Sequence, residues 1–370
     1  MKNLIRAEIL LVVVLMILGS LLVLSASGTY SAEKFDNLYF LFKSHISKIL
    51  IAIALLVITA MIPYDLYRKY SKHILVGTIL LLAATLIFAP KIKGAARWID
   101  LWIIQFQPSE LAKIVLLMHL AVMIEKKGDL IRDFKNGFVF TLVWVFIVAG
   151  LILMQPNVST TLLVIILSFT ILYVGGAKFK HVLATSTVVG GIGVMFMMLF
   201  THSRERVLSF INGAGSTGDI NIQVKQAKIA LGSGGFFGVG LGNSQQSNLF
   251  LPESYGDFIF SVLGEELGFL GALLVLFIYF SVFFIGVLIA KKAKDPFGQL
   301  LAYGLSFNII LSAFINAAVV TGMVPTTGIT LPFISFGGTS IIVFCISIGL
   351  IISIGRYSQV QQQELIPVEV

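Results

Sequence analysis

Apolar runs follow one another along the whole chain, separated by short clusters rich in Lys, Arg, Gly and Pro. Most runs approach the roughly 17–25 residues that cross a ~30 Å hydrocarbon core. Their centres fall at Ile9–Leu24, Lys48–Ile62, Ile74–Phe88, Leu111–Ile124, Val139–Met154, Val158–Val174, Val182–Phe200, Phe258–Ala290, Leu300–Thr321 and Ser340–Ile354. The pattern predicts about ten helices, the fourth short and the eighth long. Lipid offers the backbone no hydrogen-bond partner, which excludes open sheets. The expected class is therefore all-α: a single polytopic membrane domain over residues 1–370.

Composition agrees, with 57% hydrophobic residues, 12% charged and a mean hydropathy of +0.97; soluble domains carry roughly a quarter charged residues. Counting from a cytoplasmic N-terminus, inner loops hold Lys2/Arg6, Arg68/Lys69/Lys72, Lys126/Lys127/Arg132/Lys135, Lys178/Lys180, Lys291/Lys292/Lys294 and Arg356. The positive-inside rule then places both termini in the cytoplasm. The net charge of +8 reads as topology and attraction to anionic lipid, not as nucleic-acid binding. Lys2/Arg6 and Ser25–Gly28 match a cleaved signal peptide weakly, and the long apolar run between them reads as an uncleaved first span.

Three outer segments stand apart. The extracytoplasmic loop 201–257 is far longer than an ordinary connection, and its Arg204, Arg206, amphipathic Gln223–Leu231 and glycine-rich Gly232–Gly242 predict short helices capping the outer face. Ala89–Ser109, with Trp98 and Trp102, suits a re-entrant or interfacial piece. Thr321–Gly338 carries no charge, and its Pro, Gly and Thr predict irregular backbone buried in protein or lining a cavity.

Soluble cofactor chemistry is not visible. Cys345 is the single cysteine, and five scattered histidines match no metal spacing. There is no phosphate loop and no D-x-D pair, and Gly232–Gly242 fits G-x-G-x-x-G in no register. The candidate chemistry lies elsewhere. Asp257 abuts Phe258-Ile259-Phe260. It is either a first-turn acid of the following helix or a carboxylate at a polar–apolar boundary able to act as general base. Glu265 and Glu266 fit a helix start or kink, and Glu253 a solvated rim. Glu110 and Lys113 share a helix face at i,i+3, with Ser109 as the expected N-cap. Their pairing inside an apolar span reads equally as a structural salt bridge or as part of a polar cavity. Arg97, Arg204, Arg206, Lys225 and Lys228 all lie in outer segments and form a candidate anion site.

Three long blocks carry a resemblance. They are Gly94-Ala95-Ala96-Arg97-Trp98-Ile99 with Gln107–Lys113; Leu251-Pro252-Glu253 with Asp257–Phe260 and Gly264–Gly268; and Pro325–Gly328 with Leu331–Ser340. In this order the chain resembles, over nearly its whole length, the SEDS family (shape, elongation, division and sporulation) of membrane peptidoglycan polymerases. Gly240–Ser244, Gly264 before Glu265 and Thr330 before Leu331 are more similar to the division branch, FtsW, than to the elongation branch, RodA. The resemblance implies an inverting glycosyltransferase that polymerises lipid II on the outer face of the bacterial cytoplasmic membrane. Asp257 would be catalytic, and Arg97, Glu110, Lys113, Arg204, Arg206, Lys225, Lys228, Glu266 and Ser335 would bind substrate. It further implies no organic cofactor, a divalent ion (Mg or Mn) as a candidate, and as partners a class B penicillin-binding transpeptidase and other divisome or elongasome membrane proteins. A lipid II flippase and a non-catalytic scaffold for a transpeptidase are the rival readings. The chain departs from the family pattern at Asn157, where an acid is common, at Ser254-Tyr255-Gly256, where His-Thr is common, and at Ala227, where Ser is usual.

Overall fold

The computed structural model describes residues 1–90, 96–100, 105–199, 201–212, 219–246 and 254–364. Helices run in the order α1 (Lys2–Phe35), α2 (Phe40–Met61), α3 (Tyr64–Phe88), α4 (Pro108–Lys127), α5 (Phe140–Met154), α6 (Val158–Val174), α7 (Phe179–Leu199), α8 (Thr201–Asn212), α9 (Asp219–Ser233), α10 (Ile259–Lys292), α11 (Pro296–Val320) and α12 (Gly338–Glu364). Among the described residues the strands are β1 (Ile99–Asp100) and β2 (Gln105–Phe106), an antiparallel pair with Ile99 opposite Phe106. Among the described residues eight segments are long and apolar enough to cross a membrane: α1, α2, α3, Phe134–Met154, Phe179–Phe196, α10, α11 and Gly338–Ser358. The expected ten is reached by adding the shorter apolar α6 and the charged α4.

The centre of the bundle is α4, whose residues from Ala112 to Val122 are all buried. It packs on α3, α6, α11 and α12, while α10 and α11 run side by side and α2 lies along α12. Large apolar side chains face outward along α1, α2, α3, α7 and α10, as a lipid-facing surface requires. The N-terminus of α4 corrects one expectation: its N-cap is Gln107, with Pro108 at the first helical position, so the helix begins before Ser109. Proline has no N–H to leave unsatisfied there and its fixed φ suits a helix start. Ser109 instead accepts a hydrogen bond from Gln107 Nε2 at 3.1 Å.

The long outer segment folds into α8, α9 and a glycine-rich saddle. Helix α10 breaks at Gly268, which takes φ 69° and ψ −171°. The chain from Gly235 to Gly240 fits into that break. Val239 and Gly240 donate their N–H groups to the carbonyls of Glu265 and Glu266, both at 3.0 Å. Phe269 and Leu270, where the helix restarts, donate to Gly235 and Phe236 at 2.9 and 3.2 Å. These four bonds give backbone groups freed by the break partners in the saddle, as membrane depth demands. Glycine is required because a Cβ on Gly238 would collide with the Glu266 carbonyl and Gly268, and one on Gly268 would collide with Gly238 and Phe237. The acids that follow Gly264 serve this saddle. Glu265 accepts from Ser244 Oγ and from the amides of Gln245 at 3.1 Å and Gln246 at 3.4 Å.

The segment between α11 and α12 is irregular, as its composition predicts, but only Leu331–Ser335 are buried, while Thr321, Met323 and Gly328 are exposed. Leu331, Phe333 and Ile334 are almost fully enclosed. A Cβ on Gly19 of α1 would strike the backbone of Phe333 and Ile334, so α1 presses directly onto this loop.

Candidate active site

Asp257 sits between the long outer segment and α10, half-buried. The N-cap of α10 is Phe258 and no acid stands in the first turn of the helix, so Asp257 lies just before α10 and not within it. Its carboxylate faces Arg206 of α8 electrostatically. A methyl group built on Gly328, which takes φ +74°, would lie 3.4 Å from Asp257 Oδ2 and 3.9 Å from Arg206 Nη1. The absence of a side chain at residue 328 therefore leaves the space beside both groups open.

Arg206 is tied to the irregular loop by a hydrogen bond from Nη1 to the Thr326 carbonyl at 3.2 Å. Arg97, just before β1, donates from Nε to the Gln155 carbonyl at 3.1 Å and from Nη2 to the Pro156 carbonyl. The two guanidinium groups lie near enough to repel. Burial pulls the pKa of Arg97 down, and the neighbouring Arg206 adds to that; burial also pulls Arg206 down, while Asp257 opposes the shift. Arginine starts so far above neutrality that both remain cationic. The result is one carboxylate facing the partly desolvated Arg206, with Arg97 near Arg206 in turn, all held by elements that are distant in sequence.

The other expected residues divide into three groups. Glu110 and Lys113 form a salt bridge at 2.9 Å inside the bundle, with Lys113 2% and Glu110 13% exposed. Just before this helix, Thr339 at the start of α12 accepts from the Gln107 amide at 2.8 Å and donates to the Gln105 carbonyl at 2.9 Å. Arg204 and Lys225 are exposed, and Lys228 folds across Gly322 at the end of α11, so these three stand apart from the Asp257–Arg206–Arg97 cluster. Glu266 accepts from Ser25 Oγ and lies against the amides of Gly242 and Ser244, on the saddle side of α10. Ser335 donates to the Gly256 carbonyl at 2.9 Å and accepts from the Leu331 amide at 2.8 Å, beneath the Asp257 turn. Asn157 is the buried N-cap of α6, its side-chain oxygen accepting from the Thr160 amide. Glu253 lies outside the described residues, as do Gly94, Ala95 and Trp102.

Sequence reasoning missed Thr326, Gly328 and Asn316. Asn316 Nδ2 donates to the carbonyls of Asp257 and Ile329, both at 2.8 Å. The available signal was an amide in the apolar run of α11. For a metal, no group of three His, Cys, Asp or Glu is arranged to hold an ion among the described residues.

Comparison with known proteins adds the following. The family model for FtsW, RodA and SpoVE, described as cell cycle protein, matches residues 6–360. A relative from Trichlorobacter lovleyi, the probable peptidoglycan glycosyltransferase FtsW, is 37% identical over 349 residues, covering 94% of this chain and 91% of its own. The stage V sporulation protein E of Bacillus subtilis is 33% identical over 358 residues, covering 95% and 98%. Among solved structures, one described as the structural coordination of polymerization and crosslinking by a peptidoglycan synthase complex has a similar fold. Its TM-score is 0.78 at 23% identity, covering 95% of this chain and 97% of that one. The rod shape determining protein RodA of Thermus thermophilus has a TM-score of 0.70 at 24% identity, covering 94% and 95%.

Proposed function

Because the chain belongs to the FtsW/RodA/SpoVE family of cell cycle proteins, we infer that its outer-face site makes glycan. The protein is a membrane peptidoglycan glycosyltransferase, and its substrate is lipid II. The observation that carries this reading is the half-buried Asp257 carboxylate facing Arg206, which in turn lies near Arg97.

The chemistry follows from what each group can do. A sugar hydroxyl is a weak nucleophile until its proton is taken, and Asp257 is the base. The acceptor 4-hydroxyl oxygen bonds to the donor anomeric carbon, its proton passes to Asp257, and the bond from that carbon to the pyrophosphate oxygen breaks. The electron pair leaves with undecaprenyl pyrophosphate. One direct displacement inverts the anomeric centre. Negative charge grows on the leaving group, and Arg206 and Arg97 are the fixed cations that stabilise it. A forked guanidinium suits a pyrophosphate better than an ammonium does. A magnesium or manganese ion would be carried by the pyrophosphate itself, since such ions bind through few protein carboxylates and substrate phosphates.

Topology supports the same placement. With both termini in the cytoplasm of the inner membrane, the Asp257 end of the bundle faces outward and the basic loops face inward. A membrane transpeptidase of the penicillin-binding class is the partner that would use the product strand. The test is purified protein in liposomes with labelled lipid II on the outer leaflet. Growth of glycan strands supports the reading; lipid II crossing the bilayer without chain growth would replace it with transport.

A further inference from the structure

The structure assigns Asn316 the role of positioning residue for Asp257. The assignment rests on the reading of Asp257 as the general base. A general base is effective only when its carboxylate is held within hydrogen-bond reach of the proton it takes, and small displacements cost large factors in rate. Asp257 belongs to a turn, not to a helix: its neighbour Phe258 is the N-cap of α10, with no side-chain cap. Its backbone therefore needs an external hold.

That hold comes from two side chains on either side of the catalytic peptide. Asn316, in the last turns of α11, donates one Nδ2 hydrogen to the Asp257 carbonyl and the other to the Ile329 carbonyl, both at 2.8 Å. Ser335 donates to the carbonyl of the preceding residue, Gly256, at 2.9 Å. Asn316 is 1% and Ser335 2% exposed, so water does not compete for these bonds. The Ile329 carbonyl is one residue beyond Gly328, which borders Asp257 Oδ2 and Arg206 Nη1. A single nitrogen thus fixes the peptide that carries the base and the strand that forms the opposite wall, and sets the width between them.

The residue type matters. Only a primary amide presents two donors on one short arm. Aspartate at residue 316 would aim two acceptors at two carbonyls, and alanine would remove the donor that both carbonyls share. Asn316 touches no reacting atom in this assignment; it acts through Asp257.

The test is a double-mutant cycle on lipid II polymerisation by full-length protein in liposomes. Asn316→Ala should lower kcat at least ~10-fold with the KM for lipid II within ~2-fold, because binding groups stay in place. Asp257→Asn should lower the rate far more, and adding Asn316→Ala to it should cost nothing further. Ser335→Ala, acting on the neighbouring carbonyl, should follow the same pattern with a smaller effect. Wild-type kcat in Asn316→Ala, or an undiminished further loss in the Asp257→Asn background, overturns the assignment. So does loss of folded protein in both Asn316→Ala and Ser335→Ala, which would make the bonds purely structural. If Asp257→Asn itself retains activity, the reading of Asp257 fails instead, and the cycle separates the two failures.

Discussion

Breaking the Glu110–Lys113 pair should be costly in a way that depends on which partner is removed. In Glu110→Gln the Lys113 ammonium stays inside the bundle with 2% of its side chain exposed. Its remaining neighbour of note is the Phe344 ring, 5.8 Å away. Leaving one member of a buried pair uncompensated costs about 3–5 kcal/mol, of which a desolvated cation–π contact returns no more than ~2 kcal/mol. In Lys113→Met the Glu110 carboxylate stays, but it is 13% exposed and lies in the first turn of α4. The helix dipole there favours a negative charge by about 0.3–1 kcal/mol, so this variant should be the milder. The double variant Glu110→Gln/Lys113→Met holds no buried charge and should lose less than either single change, a coupling of at least ~2 kcal/mol. Equilibrium unfolding in mild detergent measures all four proteins. Strictly additive losses, or a milder effect for Glu110→Gln than for Lys113→Met, would refute the reasoning.

Three further outcomes follow from the geometry. Gly328→Ala puts a methyl beside Asp257 Oδ2 and Arg206 Nη1 at a φ of +74°; it should cost ~1 kcal/mol of strain and cut kcat/KM for lipid II at least ~10-fold, with wild-type turnover as the contrary result. Gly238→Ala drives a Cβ into rigid backbone of α10, whereas Gly264→Ala meets only the tip of the Leu231 side chain. The first should therefore abolish or strongly reduce folded protein and the second should not, as thermal unfolding of both will show. Arg97→Lys keeps the charge but loses the forked contacts to the Gln155 and Pro156 carbonyls; it should be partly active. Arg97→Ala should bind lipid II more weakly in nanodiscs and depend more steeply on magnesium, and unchanged affinity would remove Arg97 from the anion site.

Much of this architecture is legible in the sequence because lipid permits so few solutions. Apolar span lengths and the i,i+3 spacing of Glu110 and Lys113 can be read directly from the chain, and the structure has eight long apolar helices among the described residues, the Glu110–Lys113 salt bridge and an irregular Thr321–Gly338. Asp257 was legible as an acid at an apolar boundary, though only the fold shows that Phe258 takes the N-cap and that Asp257 faces Arg206. Arg204 and Arg206 could not be told apart, because residues two apart point to different sides of a helix and nothing local says which side faces Asp257. The glycine run was legible as something other than a nucleotide cradle. Its pairing with the break at Gly268 was not, since that depends on contacts between segments some thirty residues apart. Asn316 escaped notice for the same reason: its two carbonyl partners lie in separate loops.

Asp257 acts as a base between the open position at Gly328 and the Arg206 cation. Asp257→Asn keeps the shape of the side chain and removes its basicity, so the most direct measurement is single-turnover polymerisation of labelled lipid II by this variant in liposomes. Folding and lipid II affinity are checked on the same preparation. The predicted result is a loss of at least ~10²-fold in rate with both controls unchanged. Polymer formed at near wild-type rate by a folded, substrate-bound Asp257→Asn protein would contradict it.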